Sequence, residues 1–476
     1  CIWDVGNGGI ACAAAEMSMT LETGLDLDLQ NLAGHKHVAN AHHLLLRPFP
    51  NTYLVVCAAK NLEKIRTVLE KWDLSAWKIG QLNDHEKLLI RSLHGKNEVE
   101  IPIEHLSNFN LPKDLAPHVP AADIRTADCR HLIEDRHLDP AAAIEQLLGS
   151  SNGCSRIEIR QRFDDTIQSN TFATHALSQA GLLRIDGTSK AIALTIIGQP
   201  RWSFLDAQWG PVHAVETAAR RLVCVGARPL GMAGCLNLGA ETAHEAAYLY
   251  DQTLVGLKTA SNGLRIPVLS LETEFSAEHC GLPLTPVIGM IGLLNESFLY
   301  IANVFPSADL HVFLLGHQLG DLSGSEYASQ VFGGVAGEIP KPDLEAATHL
   351  HSSLLTAIDR GWVQHARANG IGGLGLALAK SCLGPQRIGV RVSLPETPGI
   401  HAQLFDELSA LAIVSVTTHD REDFVRFARD QDISFCEIGV TGGNQLIVSA
   451  GGQMQLSLSI DQLYAGWQTG FPNSSR

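Results

Sequence analysis

The chain has 476 residues, enough for two to four domains with real cores. Its 50 acidic and 35 basic residues leave a formal net charge of −15, which disfavours a nucleic-acid groove or an anionic membrane surface as a partner, since both need basic clusters. No apolar run reaches the ~18 residues of a bilayer span, and no signal peptide opens the chain, so a cytoplasmic protein is expected.

The ten cysteines are scattered without a Cys-x-x-Cys pair. That argues against a zinc cage and predicts free buried thiols in a reducing compartment.

Taken in chain order, the first signal is a glycine turn opening a helix, "IWDVGNGGIACAAAEM", with Asp4 ahead of its glycines. An Asp there reads either as an N-cap or as a metal ligand. "HKHVANAHH", with His35, His37, His42 and His43, reads as a solvated loop or a metal tract. A β-rich run at Tyr53 precedes a helix whose Leu62, Ile65, Val68, Leu69 and Trp72 recur every three or four residues. A strand ending at Ile79-Gly80 and a hairpin, "KLLIRSLHGKNEVEIPI", follow. Residues 106–125 are proline-rich, a linker signal, and "PAAAIEQLLGSSN" reads as a helix closed by a turn. From "SRIEIRQRFDDTIQSNTF" to "TPVIGMIGLL", strands alternate with one strong helix, "PVHAVETAARRLVCVGA".

The end of the chain repeats its beginning. "ARANGIGGLGLALAKSC" matches the first glycine turn with Gly8 on Gly372, and Ala368 stands where Asp4 stood. "AIVSV", a helix with Phe424, Phe427 and Ala428, Ile438-Gly439 and "QLIVSAGGQMQLSLSI" then match the run from Tyr53 onward. The two matches are offset by 364 and 359 residues, as a duplication with one small loop change requires. The reading is an α+β, A–B–A arrangement. A first A-type α+β domain (1–115) is followed by a linker with a helix (116–154), a β-rich B-type domain (155–300) and a second A-type domain (301–476). A parent pair ordered B–A–B–A would lack its first B unit here. With Cys1 inside a motif, the chain reads as a fragment, a processed product or a divergent chain whose upstream part is not shown.

Seven stretches carry a family in the right order: "DVGNGGIACAAAEM", "FDDTIQSNTF", "ARPLGMAGCLNLG", "TPVIGMIGLL", "GSEYA", "GGLGLALA" and "IGVTGGNQLIV". The chain resembles the small bacterial form of phosphoribosylformylglycinamidine synthase, the synthetase subunit of purine biosynthesis, in the aminoimidazole-ribonucleotide-synthetase superfamily. The resemblance implies an internally duplicated synthetase fold and an ATP-dependent ligase. ATP phosphorylates an amide oxygen, and ammonia from a separate glutaminase displaces the phosphate. Magnesium neutralises the phosphates. It also implies two partners, a glutaminase and a small third subunit.

Set against the family's motifs, many ligand positions have changed. Asp4 keeps the magnesium position of the first glycine loop. The substrate-holding run Glu-Ser-Gln-Glu-Arg falls on Pro48-Phe49-Pro50-Asn51-Thr52. The ATP-side Asp is Gly234, and the later Asn and Pro are Ala240 and Glu241. The nucleotide-side Gly is Leu271, the metal-binding Asn is Glu272 and the substrate-binding Ser is Glu274. Glu272 keeps a hard oxygen for a cation and would share a strand face with Glu274. In the auxiliary nucleotide site of the second half, the four metal ligands fall on Ile197, Thr217, Arg221 and Ala368, and Glu216 is one place out of register, about 100° round its helix. The family's catalytic histidine lies in the absent B unit, and no Ser/His/Asp or Cys/His arrangement replaces it.

Three functions follow. The first is a divergent, catalytically incomplete chain, a pseudoenzyme keeping the fold as a structural or regulatory partner, without ATP and magnesium. The second is an active synthetase whose missing domain lies upstream or on a partner chain, with Asp4 and Glu272 as metal ligands. The third is a relative that binds a different small molecule.

Overall fold

The computed structural model describes residues 1–6, 8–32, 41–47, 51–91, 97–106, 139–160, 162, 169–172, 177–238, 243–275, 284–397 and 399–474. The chain forms two compact units, Cys1–Lys113 and Asp114–Arg476. Residues 107–125 of the predicted linker and most of the histidine-rich run lie outside the described residues.

The first unit contains β1 (Ile2–Asp4), β2 (Gly24–Asp28), β3 (Tyr53–Val55), β4 (Gly80–Asn83), β5 (Lys87–Arg91) and β6 (Asn97–Pro102). β1 and β3 form an antiparallel pair, and the other four are ordered β4-β2-β5-β6. Helix Gly9–Leu21 buries Ile10, Ala13, Ala14, Met17 and Ser18, one stripe at helical spacing. Its small residues let it lie close to the strands. Gly9 begins it at φ 69°, where a Cβ would sit 2.3 Å from the Leu45 carbonyl oxygen, so only glycine fits.

In the second unit a six-stranded sheet has the order β11-β10-β12-β9-β8-β7. Its members are β7 (Thr171–Phe172), β8 (Gly181–Arg184), β9 (Ala191–Gly198), β10 (Arg228–Leu238), β11 (Val268–Phe275) and β12 (Thr285–Leu294). β10 and β11 run parallel, and helix Ala243–Leu264 supplies the crossover that a parallel pair needs. β9 and β12 alternate buried and more exposed residues. Their buried face packs against helix Trp209–Val223, the strong helix of the sequence.

A seven-stranded sheet completes the unit, in the order β14-β16-β13-β17-β15-β18-β19. Its strands are β13 (His311–Leu315), β14 (Val363–Ala368), β15 (Val390–Leu394), β16 (Ala412–Val416), β17 (Phe435–Thr441), β18 (Gln445–Ala450) and β19 (Gln453–Ser459). One face carries helices Gly373–Cys382 and Ile460–Ser474 together with Pro140–Leu148, whose Ile144 and Leu147 are fully buried there. The other carries helices Leu344–Asp359 and Arg421–Asp430. β16, buried at every residue, lies between these layers.

The duplication is written in the strand registers. Ile2 pairs with Val55 and Asp4 with Tyr53, as Ala366 pairs with Val414 and Ala368 with Ala412. Leu25 pairs with Leu82 and Leu88, as Val390 pairs with Thr441 and Leu446. The glycine turns match too: Gly373, at φ 61°, would put a Cβ 2.6 Å from the Leu404 oxygen, the counterpart of Gly9 against Leu45. The α+β duplicated synthetase fold expected from sequence is therefore the observed one.

One helix differs between the two copies, and one expectation needs correction. Helix Leu62–Lys71 forms where its stripe predicts, but it has no fully buried residue, and Val68 and Trp72 are exposed. In the second copy the equivalent Phe424, Phe427 and Ala428 are buried against Phe313, Leu350 and Leu354, worth about 1.5–3 kcal/mol for each large side chain. Among the described residues the first unit has no strand or helix in the places of β13 and Leu344–Asp359. Among the described residues the cysteines are free, as expected, but Cys1, Cys12 and Cys436 are exposed rather than buried.

Candidate functional site

Helix Trp209–Val223 is wedged against the six-stranded sheet, and thirteen of its residues are buried. Of the four positions aligned with auxiliary-site ligands, Thr217 and Arg221 lie in its C-terminal half. Arg221 extends to the end of β9, where its Nη1 donates to the Ile196 oxygen at 3.4 Å, next to Ile197. Its Nη2 lies 3.4 Å from where a Cβ on Gly370 would stand, two residues past Ala368. Thr217, one turn back, donates to the His213 oxygen at 2.8 Å. Ala368, at the end of β14, exchanges two 2.8 Å hydrogen bonds with the Gln179 amide. Burial and the neighbouring Arg220 lower the Arg221 pKa to about 10. Arg367 and Lys380 are lowered as well, to about 9 and about 7, by burial and by facing other cations. Where the resemblance put carboxylates and an amide, the structure has Ile197, Thr217, Ala368 and a guanidinium within a cationic neighbourhood. Such a set supplies no hard anionic oxygen for magnesium.

Glu216, one place out of register, belongs to a different arrangement. Its carboxylate meets Arg220 at 3.0 Å and His351 at 3.2 Å. Burial pushes the carboxyl up, but Arg220, His351 and His213 together hold it below its usual value. Arg220 also donates to the Leu411 oxygen at 2.7 Å, the Ser409 oxygen at 3.1 Å and Asn369 Oδ1. One buried guanidinium thus ties helix Trp209–Val223 to the loop before helix Gly373–Cys382 and to the entrance of β16.

The remaining predicted positions are dispersed. Gly234 and Leu271 are register partners on β10 and β11. A Cβ on Gly234 would stand 2.7 Å from Leu271 Cδ1, so the leucine side chain fills the space over the glycine. Glu272 is exposed on β11; the Glu274 side chain, and residues 240 and 241, lie outside the described residues. Asp4 is exposed and accepts a hydrogen bond from the Gly6 amide at 3.2 Å. It does not cap helix Gly9–Leu21, whose N-cap is Gly8. Among the described residues no three His, Cys, Asp or Glu side chains gather as a metal site.

Sequence reading missed one acidic pair, Asp406-Glu407, beyond helix Ile400–Phe405. Its only signal was two adjacent acids in the apolar run "QLFDELSAL". Glu407 Oε1 accepts from the amides of Gly372 at 2.6 Å and Glu326 at 2.8 Å, capping two helix N-termini. Arg201 binds Glu326 at 2.7 Å and lies 3.8 Å from Glu407. Burial raises the Glu407 pKa from 4.5 to about 7, against the pull of Arg201. A raised carboxyl pKa gives stability that is complete below the unfolded value and is lost as pH rises through the folded one. Urea unfolding of the wild type should therefore lose up to about 3 kcal/mol relative to Glu407→Gln between pH 5 and pH 8. A difference that stays constant over this range would show that Glu407 is ionised throughout.

Comparison with known proteins places this architecture. Residues 1–91 match the family described as AIR synthase related protein, C-terminal domain, and residues 177–294 match AIR synthase related protein, N-terminal domain. These two domain matches agree with the observed fold and its repeat. More particularly, the chain is similar to the phosphoribosylformylglycinamidine synthase subunit PurL. It is 32% identical over 482 residues to that of Thermomicrobium roseum, covering 99% of this chain and 64% of the relative. It is 29% identical over 473 residues to that of Moorella thermoacetica, covering 98% and 64%. Among solved structures, T. maritima PurL complexed with AMPPCP shares the fold with a TM-score of 0.62 at 16% identity, over 93% of this chain and 64% of that one. PurLQS from Thermotoga maritima does so with 0.61 at 16%, over the same shares. The chain spans 64% of the length of these curated relatives. No helix among the described residues is long and apolar enough to cross a membrane.

Proposed function

We propose that the chain serves the phosphoribosylformylglycinamidine synthase step of purine biosynthesis as a PurL-like subunit that keeps the synthetase fold without holding nucleotide and magnesium in its second half. The observation that carries this reading is Arg221, whose guanidinium bonds Ile196 and lies beside Gly370. A guanidinium offers donors only and repels a divalent cation. Ile197, Thr217 and Ala368 supply no compensating charge. The residues present do not fit a magnesium–nucleotide complex there, so the role is structural or regulatory, in the cytoplasm, beside a glutaminase and a small third subunit.

Asp4 supports a second reading. It stands exposed at the end of β1 in the family's metal position, which leaves the first unit a ligand for a synthetase completed by another chain. Isothermal titration with ATP and magnesium separates the two. No saturable heat is expected at micromolar nucleotide. A one-site isotherm that Asp4→Ala abolishes would replace the first reading with the second, and one that survives Asp4→Ala but not a change at Arg221 would overturn the account of the second-half site.

A further inference from the structure

Buried cations of the second unit are paired at two places: Arg201 meets Glu326 at 2.7 Å, and Arg220 meets Glu216 at 3.0 Å. Arg221, Arg367 and Lys380 break this pattern. They come from three elements, helix Trp209–Val223, β14 and helix Gly373–Cys382, and among the described residues none of them meets a carboxylate. Arg367, 6% exposed, donates through Nη1 to the Leu177 and Asn303 oxygens at 3.1 and 2.8 Å. Arg221 gives one long bond to the Ile196 oxygen, and its buried Nε has no partner among the described residues. Burial and Arg221 depress the Arg367 pKa, and burial, Arg367 and Arg221 depress that of Lys380, so the three lie within one another's fields. Arg221 and Lys380 are half-buried, which leaves them within reach of an ion from solvent. Beside Arg221 Nη2 there is room. Apart from that atom and chain neighbours, no described residue lies within 4 Å of where a Gly370 Cβ would stand.

Unpaired charge at this depth is costly, and facing like charges add to the cost. A single anion relieves both. We propose that Arg221, Arg367 and Lys380 together hold a phosphate-class oxyanion directly, with no metal ion between. A guanidinium fork matches two oxygens of a phosphate, and an ammonium serves it as a point charge. The same positive groups that repel magnesium attract this ligand. The inference rests on the reading that the second half holds no magnesium–nucleotide complex, and it names what that half takes instead.

The probe is inorganic phosphate, with glycerol 3-phosphate beside it to distinguish a free phosphate from one carried on a small molecule. Each is titrated into the full chain with EDTA present, by calorimetry and by thermal unfolding, at an ionic strength held constant with sodium chloride. Saturable binding in the millimolar range or tighter is expected for at least one of them, and a tenfold excess over Kd should raise the unfolding midpoint by about 2 °C or more. Arg221→Gln and Lys380→Met should each weaken binding about tenfold or more. Gly370→Asp sets a carboxylate beside Arg221. It should abolish binding while leaving the phosphate-free chain at least as stable as the wild type, a result that misfolding cannot imitate. Absence of saturable binding, or binding that all three substitutions leave unchanged (an adventitious ion only), overturns the proposal. If ATP with magnesium also gives no isotherm, the reading of a nucleotide-free second half then stands by itself. Phosphate binding that requires magnesium overturns both.

Discussion

Arg220→Met is expected to destabilise the chain by about 3–5 kcal/mol, the usual consequence of removing one partner from a buried ion pair. The loss is large because the guanidinium satisfies several groups at once. Without it, Glu216 keeps its charge with only histidine neighbours, and the Ser409 and Leu411 carbonyls lose a donor. Methionine replaces most of the packing but none of the hydrogen bonds. The double variant Arg220→Met with Glu216→Leu should recover at least half of the loss, because the orphaned carboxylate is then gone. The check is guanidinium unfolding of the wild type and the two variants at pH 7. A single-variant loss below about 1 kcal/mol would mean that water takes over the role of Arg220.

Gly373→Ala should cost about 3 kcal/mol or more, and Gly9→Ala a comparable amount within the first unit. Each glycine has a positive φ, and each would place a Cβ against backbone oxygens, Leu404 and Asp406 for Gly373, Leu45 and Arg47 for Gly9. Backbone cannot step aside as a flexible side chain can. Limited proteolysis with fragment mapping tests the pair. Gly9→Ala should expose cleavage sites within residues 1–113, and Gly373→Ala within 114–476. Equal resistance of both variants and the wild type would show that the turns relax. Ala368 stands where Asp4 does in the first copy, while the glycines stay in both, because the close backbone contacts at Gly9 and Gly373 leave no room for a side chain.

Much of this was legible in the sequence. The offsets of 364 and 359 residues foretold the paired registers, since a one-residue slip would turn every side chain to the wrong face. The hairpin at "SAGGQM" announced β18 and β19 by its two glycines, both at positive φ. The Arg220 network was not legible. Apart from Glu216 and Thr217 on its own helix, its partners lie 149 to 191 residues away, and neither periodicity nor a motif links Arg220 to Leu411. Glu407 was hidden for a similar reason, since it caps helices that begin at distant points of the chain. The stripe at Leu62, Ile65, Val68 and Trp72 was read correctly as a helix, and the structure leaves that helix without a buried residue. Amphipathic spacing says that a face wants cover; it does not say which molecule supplies it.

The central place of β13 has a consequence for the order in which the protein is made. Its five residues hydrogen-bond to nothing local: one neighbour begins at Ala412 and the other at Phe435. Synthesis therefore releases Val312, Phe313, Leu314 and Leu315 roughly a hundred residues before either ladder exists, and pairings so distant in sequence form slowly. Helix Leu344–Asp359 emerges much earlier and shares a core with Phe313 and Leu315. The nascent chain thus carries its own temporary shelter for the strand that the finished sheet is built around.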